Sequence, residues 1–202
     1  MKIGILGSGN VGGTLGELWS ARGHEVVFGR RDPRAPTKGG GRSATVHEAA
    51  QFAQVLVLAT PWRAAHETLA ACGDLTGKIL IDCTNPLEDD LSGLTIGHTT
   101  SGGEQVAHWA AGARVVKCFN SLGAQNFAQP AFAGQTASML FCGDDRGVKD
   151  VVSKLGHELG FDMLDCGPLS RARLLEPMAL LWISLAYKEG LGPRIAFKLL
   201  RG

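Results

Sequence analysis

Neither sign of charge dominates this chain: 20 Lys and Arg stand against 19 Asp and Glu over 202 residues, a net charge of +1. Such a balance provides no global field to hold nucleic acid or an anionic membrane, so any anion must be recognised locally. Cysteine pairs are missing as well. The five cysteines (Cys72, Cys83, Cys118, Cys142 and Cys166) are odd in number, dispersed and free of C-x-x-C spacing, the pattern of reduced thiols in a cytosolic setting. The N-terminus lacks the features of a secretion signal, and the most hydrophobic late stretch, residues 178–187, falls far short of the ~20 residues that span a bilayer. A cytoplasmic protein with no membrane partner is the expectation.

Several catalytic signatures are absent too. There is no G-x-S-x-G elbow, no Walker A sequence and no clustered Cys/His set, so hydrolase, nucleotidase and metal-site readings lose their support. His24, His47, His66 and His157 are each followed by Glu, but none has a second His four residues on, which rules out an H-E-x-x-H zinc motif. They read as surface residues of helices or turns.

Glycine, by contrast, is abundant at 28 of 202 residues, about twice the usual share in soluble domains. Short apolar runs alternate with longer mixed segments, the sequence form of a parallel sheet covered by helices. The runs predict strands near 2–6, 25–28, 55–59, 79–82, 114–118 and 138–142. Apolar spacing and terminal glycines predict helices over 10–22, 46–52, 62–71, 103–111, 147–159 and 170–188. Residues 33–44, rich in Gly, Pro and basic side chains, read as a mobile loop after the second strand. The fold class is therefore α/β: a Rossmann-type, doubly wound, mostly parallel sheet. It makes one domain over 1–202, with a core to about 165 and a C-terminal helical element over about 168–202.

Gly7-Ser8-Gly9-Asn10-Val11-Gly12 reads G-x-G-x-x-G, directly after an apolar strand and at the head of an amphipathic helix. In that context Gly7 permits a sharp turn, Gly9 lets a pyrophosphate approach the backbone, and Gly12 lets the helix pack on the sheet. The exposed amides and dipole at the helix start then hold the anion. NAD-selective sites place a carboxylate some twenty residues on; here Gly29-Arg30-Arg31 takes that place, followed by Arg34. Guanidinium groups fork around a 2′-phosphate, so NADP(H) is the expected cofactor.

In an open α/β sheet the residues directly after the strands surround the ligand. Thr60, Asn85, Asn120 and Ser121 are the polar candidates to bond carboxamide, ribose or phosphates, while Pro61 and Trp62 are candidate apolar walls. No proton-transfer dyad is evident and no catalytic side chain is assigned; direct hydride transfer needs orientation and dryness rather than an acid or base. Two alternatives stay open at this point: a non-catalytic NADP(H) redox sensor, and a reductase of a small imine or carbonyl compound, which would call on a proton donor such as Lys117. The helix over 170–188 carries an apolar stripe that suits an acceptor pocket, a second subunit or the core of its own chain.

The combination of GSGNVG, FGRRDPR, LATPW, IDCTNP, VVKCFNSLGAQNF, FCGDD and DCGPLSRARLLEPM resembles the F420-dependent NADP oxidoreductase family over nearly the whole chain. It is equally similar to the cytoplasmic oxidoreductase domain of the six-transmembrane metalloreductases (STEAP). The resemblance implies a homodimeric Rossmann domain that binds NADPH and passes hydride to the deazaflavin F420 or to a flavin. It implies that Ser8, Asn10 and Val11 meet the pyrophosphate, that Arg30 and Arg31 meet the 2′-phosphate with Arg34 close by, and that Thr60, Pro61, Asn85 and Asn120 border the nicotinamide and its ribose. Arg30 departs from the family, which commonly has Ser there, and this changes the phosphate's contacts.

Overall fold

An apolar run without polar alternation makes a strand only if both its faces are covered, and β1 (Lys2–Leu6) meets that condition. In the computed structural model, which describes residues 1–34 and 42–202, Ile3 and Ile5 pack on one face with Leu15 and Trp19. Leu6 packs on the other, with Leu56 and Leu58. The same division of alternate side chains recurs in β4 (Val55–Leu58) and β5 (Ile79–Asp82), whose residues are all buried.

After β1 come α1 (Asn10–Ser20), β2 (Glu25–Arg30), β3 (Arg42–Thr45) and α2 (Val46–Phe52), and β4 leads through α3 (Trp62–Ala70) to β5. The chain continues through α4 (Gly102–Trp109), β6 (Arg114–Lys117), the short strands β7 (Ala131–Phe132) and β8 (Gln135–Thr136), and β9 (Ser138–Gly143). It closes with α5 (Arg146–Glu158), β10 (Asp162–Asp165) and α6 (Ala172–Ile183). Among the described residues the main sheet has the order β10-β9-β6-β5-β4-β1-β2-β3. The run from β3 to β6 is parallel throughout, and β9 joins β6 antiparallel. One face is covered by α1 and α5, joined by a bond from Trp19 Nε1 to the Leu155 carbonyl at 3.2 Å; α2, α3, α4 and α6 supply side chains to the opposite core.

Two strands of the main sheet, β3 and β10, escape the sequence reading, as does the short pair β7 and β8. β3 falls partly in the segment expected to be a loop: its residues Arg42 to Ala44 pair with Val27 to Gly29 of β2, and residues 35–41 lie outside the described residues. β10 pairs with β9 alone. Both β3 and β10 are short edge strands with polar ends and no fully buried residue, so neither carries the apolar run that betrays an interior strand. Pairing with β3 also carries β2 on to Arg30, two residues past its expected end. The helix expected over 170–188 divides into a 3-10 turn (Leu169–Arg171), α6 and a π-helical turn (Ser184–Lys188), with Pro177 inside α6. His24, expected at the surface, has a side chain only 8% exposed, bonded to Glu158 Oε2 at 2.7 Å.

α2 has only seven residues and depends on its cap. Thr45 Oγ1 accepts from the Glu48 amide at 3.2 Å, and Glu48 Oε2 accepts from the Thr45 amide at 2.8 Å, a reciprocal capping box. Thr45→Ala is expected to lower stability by about 1 kcal/mol, read as a lower urea midpoint at unchanged slope; an unmoved midpoint would show that packing alone holds the helix.

Candidate dinucleotide-binding site

Strand order reverses between β1 and β4, so the loops that leave these two neighbours run to opposite sides and open a crevice at their carboxyl ends. The glycine turn occupies that crevice. Gly7 takes φ +100°, and a Cβ there would lie 2.6 Å from the Ala59 carbonyl oxygen; at Gly12 it would lie 2.0 Å from the Gly7 carbonyl oxygen. Above Gly9, nothing lies within 4 Å of a Cβ position. Gly9 caps α1 without a side-chain hydrogen bond, and the first turn holds no acidic residue. Beside the turn, Thr60 Oγ1 is buried and has no hydrogen-bond partner among the described residues. Open backbone above Gly9, an uncapped helix start and an orphaned hydroxyl together fit a diphosphate, which accepts hydrogen bonds and needs close backbone approach.

Two clefts flank this turn and share Thr60. The first, of about 450 Å³, is lined by Gly7, Ser8, Arg30, Arg31, Thr45 and His47, with Glu67 and Thr68 of α3 opposite. Arg31 reaches Glu67 at 3.5 Å, with both side chains more than three-quarters exposed, an ion pair that water screens and an incoming anion displaces readily. Arg34 is not part of this lining; its guanidinium lies 3.6 Å from Asp32. Thr45, Val46 and His47 are additions that sequence reasoning missed. They come from the end of the unforeseen β3 and the start of α2, with His47 Nδ1 placed 3.0 Å from the Cys72 carbonyl.

The second cleft, of about 650 Å³, collects Gly9, Asn10, Val11, Pro61, Trp62 and Asn85. Trp62 leans on Trp109 of α4 with ring centroids 5.1 Å apart, which makes it a braced wall. Asn120 lies behind this lining, 8% exposed, and is tied to Asn85 reciprocally. Its Nδ2 donates to Asn85 Oδ1 at 3.0 Å and to the Leu175 carbonyl at 3.2 Å, while Asn85 Nδ2 donates to the Asn120 carbonyl at 3.1 Å. Phe119, just before it, holds φ +58° while fully buried against Trp19, Phe127 and Phe161. Left-handed backbone at a bulky residue is strained and persists only where the surroundings over-determine it. Cys83 also lines this cleft; burial pushes its thiol far up, aided by Asp82, so it is no thiolate at neutral pH.

Below the Asn85 loop lies a feature that the sequence did not announce. Lys117, Asp82 and Glu176 are each 0–1% exposed. The Lys117 ammonium donates to Asp82 Oδ2 at 2.8 Å, Glu176 Oε1 at 2.9 Å and the Thr84 carbonyl at 2.6 Å, which uses all three of its protons. Asp82 Oδ1 accepts from the Thr84 amide and hydroxyl at 2.9 and 2.7 Å, and the Glu176 carboxylate accepts from the Gly102 and Gly103 amides at the start of α4, both at 2.9 Å. Burial pulls the Lys117 pKa down, but the two adjacent carboxylates and their hydrogen bonds outweigh it and raise the value above that of an ordinary lysine. Lys117 is thus a sealed group, charged at neutral pH and turned into the protein, and the role of proton donor to an imine or carbonyl substrate falls away.

Comparison with known proteins agrees with this architecture. The family described as "NADP oxidoreductase coenzyme F420-dependent" matches residues 2–86. The F420-dependent NADP reductase of Methanothermobacter marburgensis is 30% identical over 94% of this chain and 94% of its own length. Metalloreductase STEAP3 of Rattus norvegicus is 33% identical over 89% of this chain, which spans only 36% of that protein. A crystal structure of a candidate F420-dependent NADP reductase from Arthrobacter sp. FB24 superposes with a TM-score of 0.91 at 34% identity, covering the whole of both chains. By sequence over nearly all of its length and by the doubly wound sheet, the chain belongs to the coenzyme F420-dependent NADP oxidoreductase family.

Proposed function

We propose that the protein binds NADP(H) across the two clefts and transfers hydride between NADP(H) and a deazaflavin, F420, or a flavin. The observation that carries this reading is the pair of clefts meeting at Thr60 over the glycine turn, one with two arginines at its mouth and the other walled by Pro61 and Trp62. The amides of Ser8, Asn10 and Val11 hold the diphosphate, Arg30 and Arg31 the 2′-phosphate, and Thr60 and Asn85 the nicotinamide ribose and carboxamide, with Asn120 supporting Asn85 from behind. Gly7, Gly9 and Gly12 keep the turn tight enough for this approach. Arg34 stands outside this contact set.

Bound NADPH supplies a hydride from its nicotinamide ring. The chain's own part is to orient that ring and keep water away. Among the described residues, the nicotinamide cleft has no His, Lys or Tyr in its lining, and the two carboxylates there, Glu88 and Asp89, stand exposed at the rim. Hydride transfer to a deazaflavin or flavin suits such a site, because it asks no proton from a side chain at the moment of transfer. No described helix is long and apolar enough to cross a membrane, and a cytoplasmic homodimer is part of the proposal, with Leu174 and Leu181 of α6 exposed as its apolar contact face.

Titration with NADPH and NADH, followed by single-turnover mixing of the NADPH complex with F420, FMN and FAD, tests the reading. Tight binding of NADPH over NADH and oxidation of bound NADPH by F420 or a flavin are expected. Binding without oxidation by any of them would leave a cofactor-binding protein and sink the proposed reaction.

A further inference from the structure

Three fully buried charges are an unusual way to fill a small volume, since apolar side chains of similar size commonly do so with equal or greater stability. Their placement is informative. Asp82 ends β5 and Lys117 ends β6, the two strands whose following loops carry Asn85 and Asn120. Thr84, directly before Asn85, is held by the cluster at its amide, hydroxyl and carbonyl. Glu176, the third member, directly follows Leu175, whose carbonyl receives Asn120 Nδ2. The asparagine pair is therefore fastened from two sides by one set of charges, while Asn120 Oδ1 stays buried with no hydrogen-bond partner among the described residues.

We infer that Asp82, Lys117 and Glu176 are positioning residues, an ion triad that holds the Asn85–Asn120 pair in register beneath the nicotinamide cleft. This rests on the proposed function for its catalytic consequence, but the register itself is a property of the chain. The triad gathers four elements at one point: the ends of β5 and β6, the first amides of α4, and α6. Its single excess negative charge faces the amide end of α4, where the helix dipole favours it. An apolar cluster would fill the same space without directing the loops, because dispersion contacts are not directional.

The test compares the wild type with the triple variant Asp82→Leu, Lys117→Met, Glu176→Met, which removes every charge at once, and with Glu176→Gln, which keeps the shape and removes one charge. The first readout needs no cofactor: hydrogen exchange of the Asn85 and Asn120 side-chain amides, followed by NMR in the free protein. Slow exchange is expected in the wild type, with protection falling at least about tenfold in the triple variant and in the same direction, by less, in Glu176→Gln. The second is the NADPH complex: its dissociation constant should rise by less than about tenfold, since the phosphate contacts remain, while the single-turnover rate drops by about 100-fold in the triple variant, as for misplaced groups beside a reacting centre. A folded triple variant, or a folded Glu176→Gln if the triple variant does not fold, with wild-type amide protection and wild-type rate would overturn the inference. If the wild type fails to bind NADPH, the proposed function falls, and the amide exchange still decides the positioning claim.

Discussion

Replacing Arg30 and Arg31 together by alanine is expected to weaken NADPH binding by about 100-fold and leave NADH binding nearly unchanged. Each charge-assisted hydrogen bond to a phosphate is worth ~1.5 kcal/mol or more, so two guanidinium groups supply about 3 kcal/mol, or two factors of ten in affinity. The gain is not offset by the present partner of Arg31. Its contact with Glu67 spans 3.5 Å between side chains 86% and 77% exposed, and such pairs contribute little in water. Because the phosphate interaction is electrostatic and near the surface, NADPH affinity should also fall more steeply with salt than NADH affinity. Equal weakening of both cofactors, in a variant whose circular dichroism matches the wild type, would show that the arginines hold the turn rather than the 2′-phosphate.

Lys117→Met alone is expected to destabilise the protein by about 3–5 kcal/mol, the penalty for leaving buried charges without their counterion. That is a large part of the ~5–15 kcal/mol that holds a domain folded. The contrast with the triple apolar variant is the informative part, since removing all three charges leaves no buried charge without a counterion and costs only the neutral hydrogen bonds of Thr84, Gly102 and Gly103. The pH dependence follows from the raised pKa of Lys117. A lysine whose folded-state pKa exceeds its unfolded value, ordinarily about 10.4, contributes its full stabilisation below that pH and loses it as the pH climbs through the folded value. Urea midpoints of wild type and Lys117→Met should therefore lie far apart at neutral pH and converge only in alkali. A difference below about 1 kcal/mol at pH 7, the level of an exposed pair, would mean that water reaches the ammonium group.

The glycine turn was legible because each of its requirements is local. Gly7 must adopt φ +100° and Gly12 must lie against the Gly7 carbonyl, and both demands show as glycine at fixed spacing after an apolar strand. Interior strands were equally legible, since burial on both faces writes an unbroken apolar run such as Val55 to Leu58. β3 and β10 were not, because an edge strand with polar residues depends on a partner for its hydrogen bonds and carries little pattern of its own. With β3 went Thr45 and His47, which line the arginine cleft only because that strand ends beside β2. Arg34, grouped with Arg30 and Arg31 by closeness in sequence, lies beside Asp32 and is not among the residues that line the cleft.

Composition, periodicity and the spacing of glycines determined by themselves that this chain makes a mostly parallel sheet with a tight glycine turn after its first strand, for those features depend on near neighbours along the backbone. Tertiary structure alone decided that Lys117 meets Asp82 and Glu176, residues 35 and 59 positions away, and that Asn120 stands behind Asn85 rather than beside it. A charged side chain looks the same in sequence whether it faces water or a buried counterion. Only the packing of β5, β6, α4 and α6 around one point turns three ordinary charges into a fixed support for the cleft.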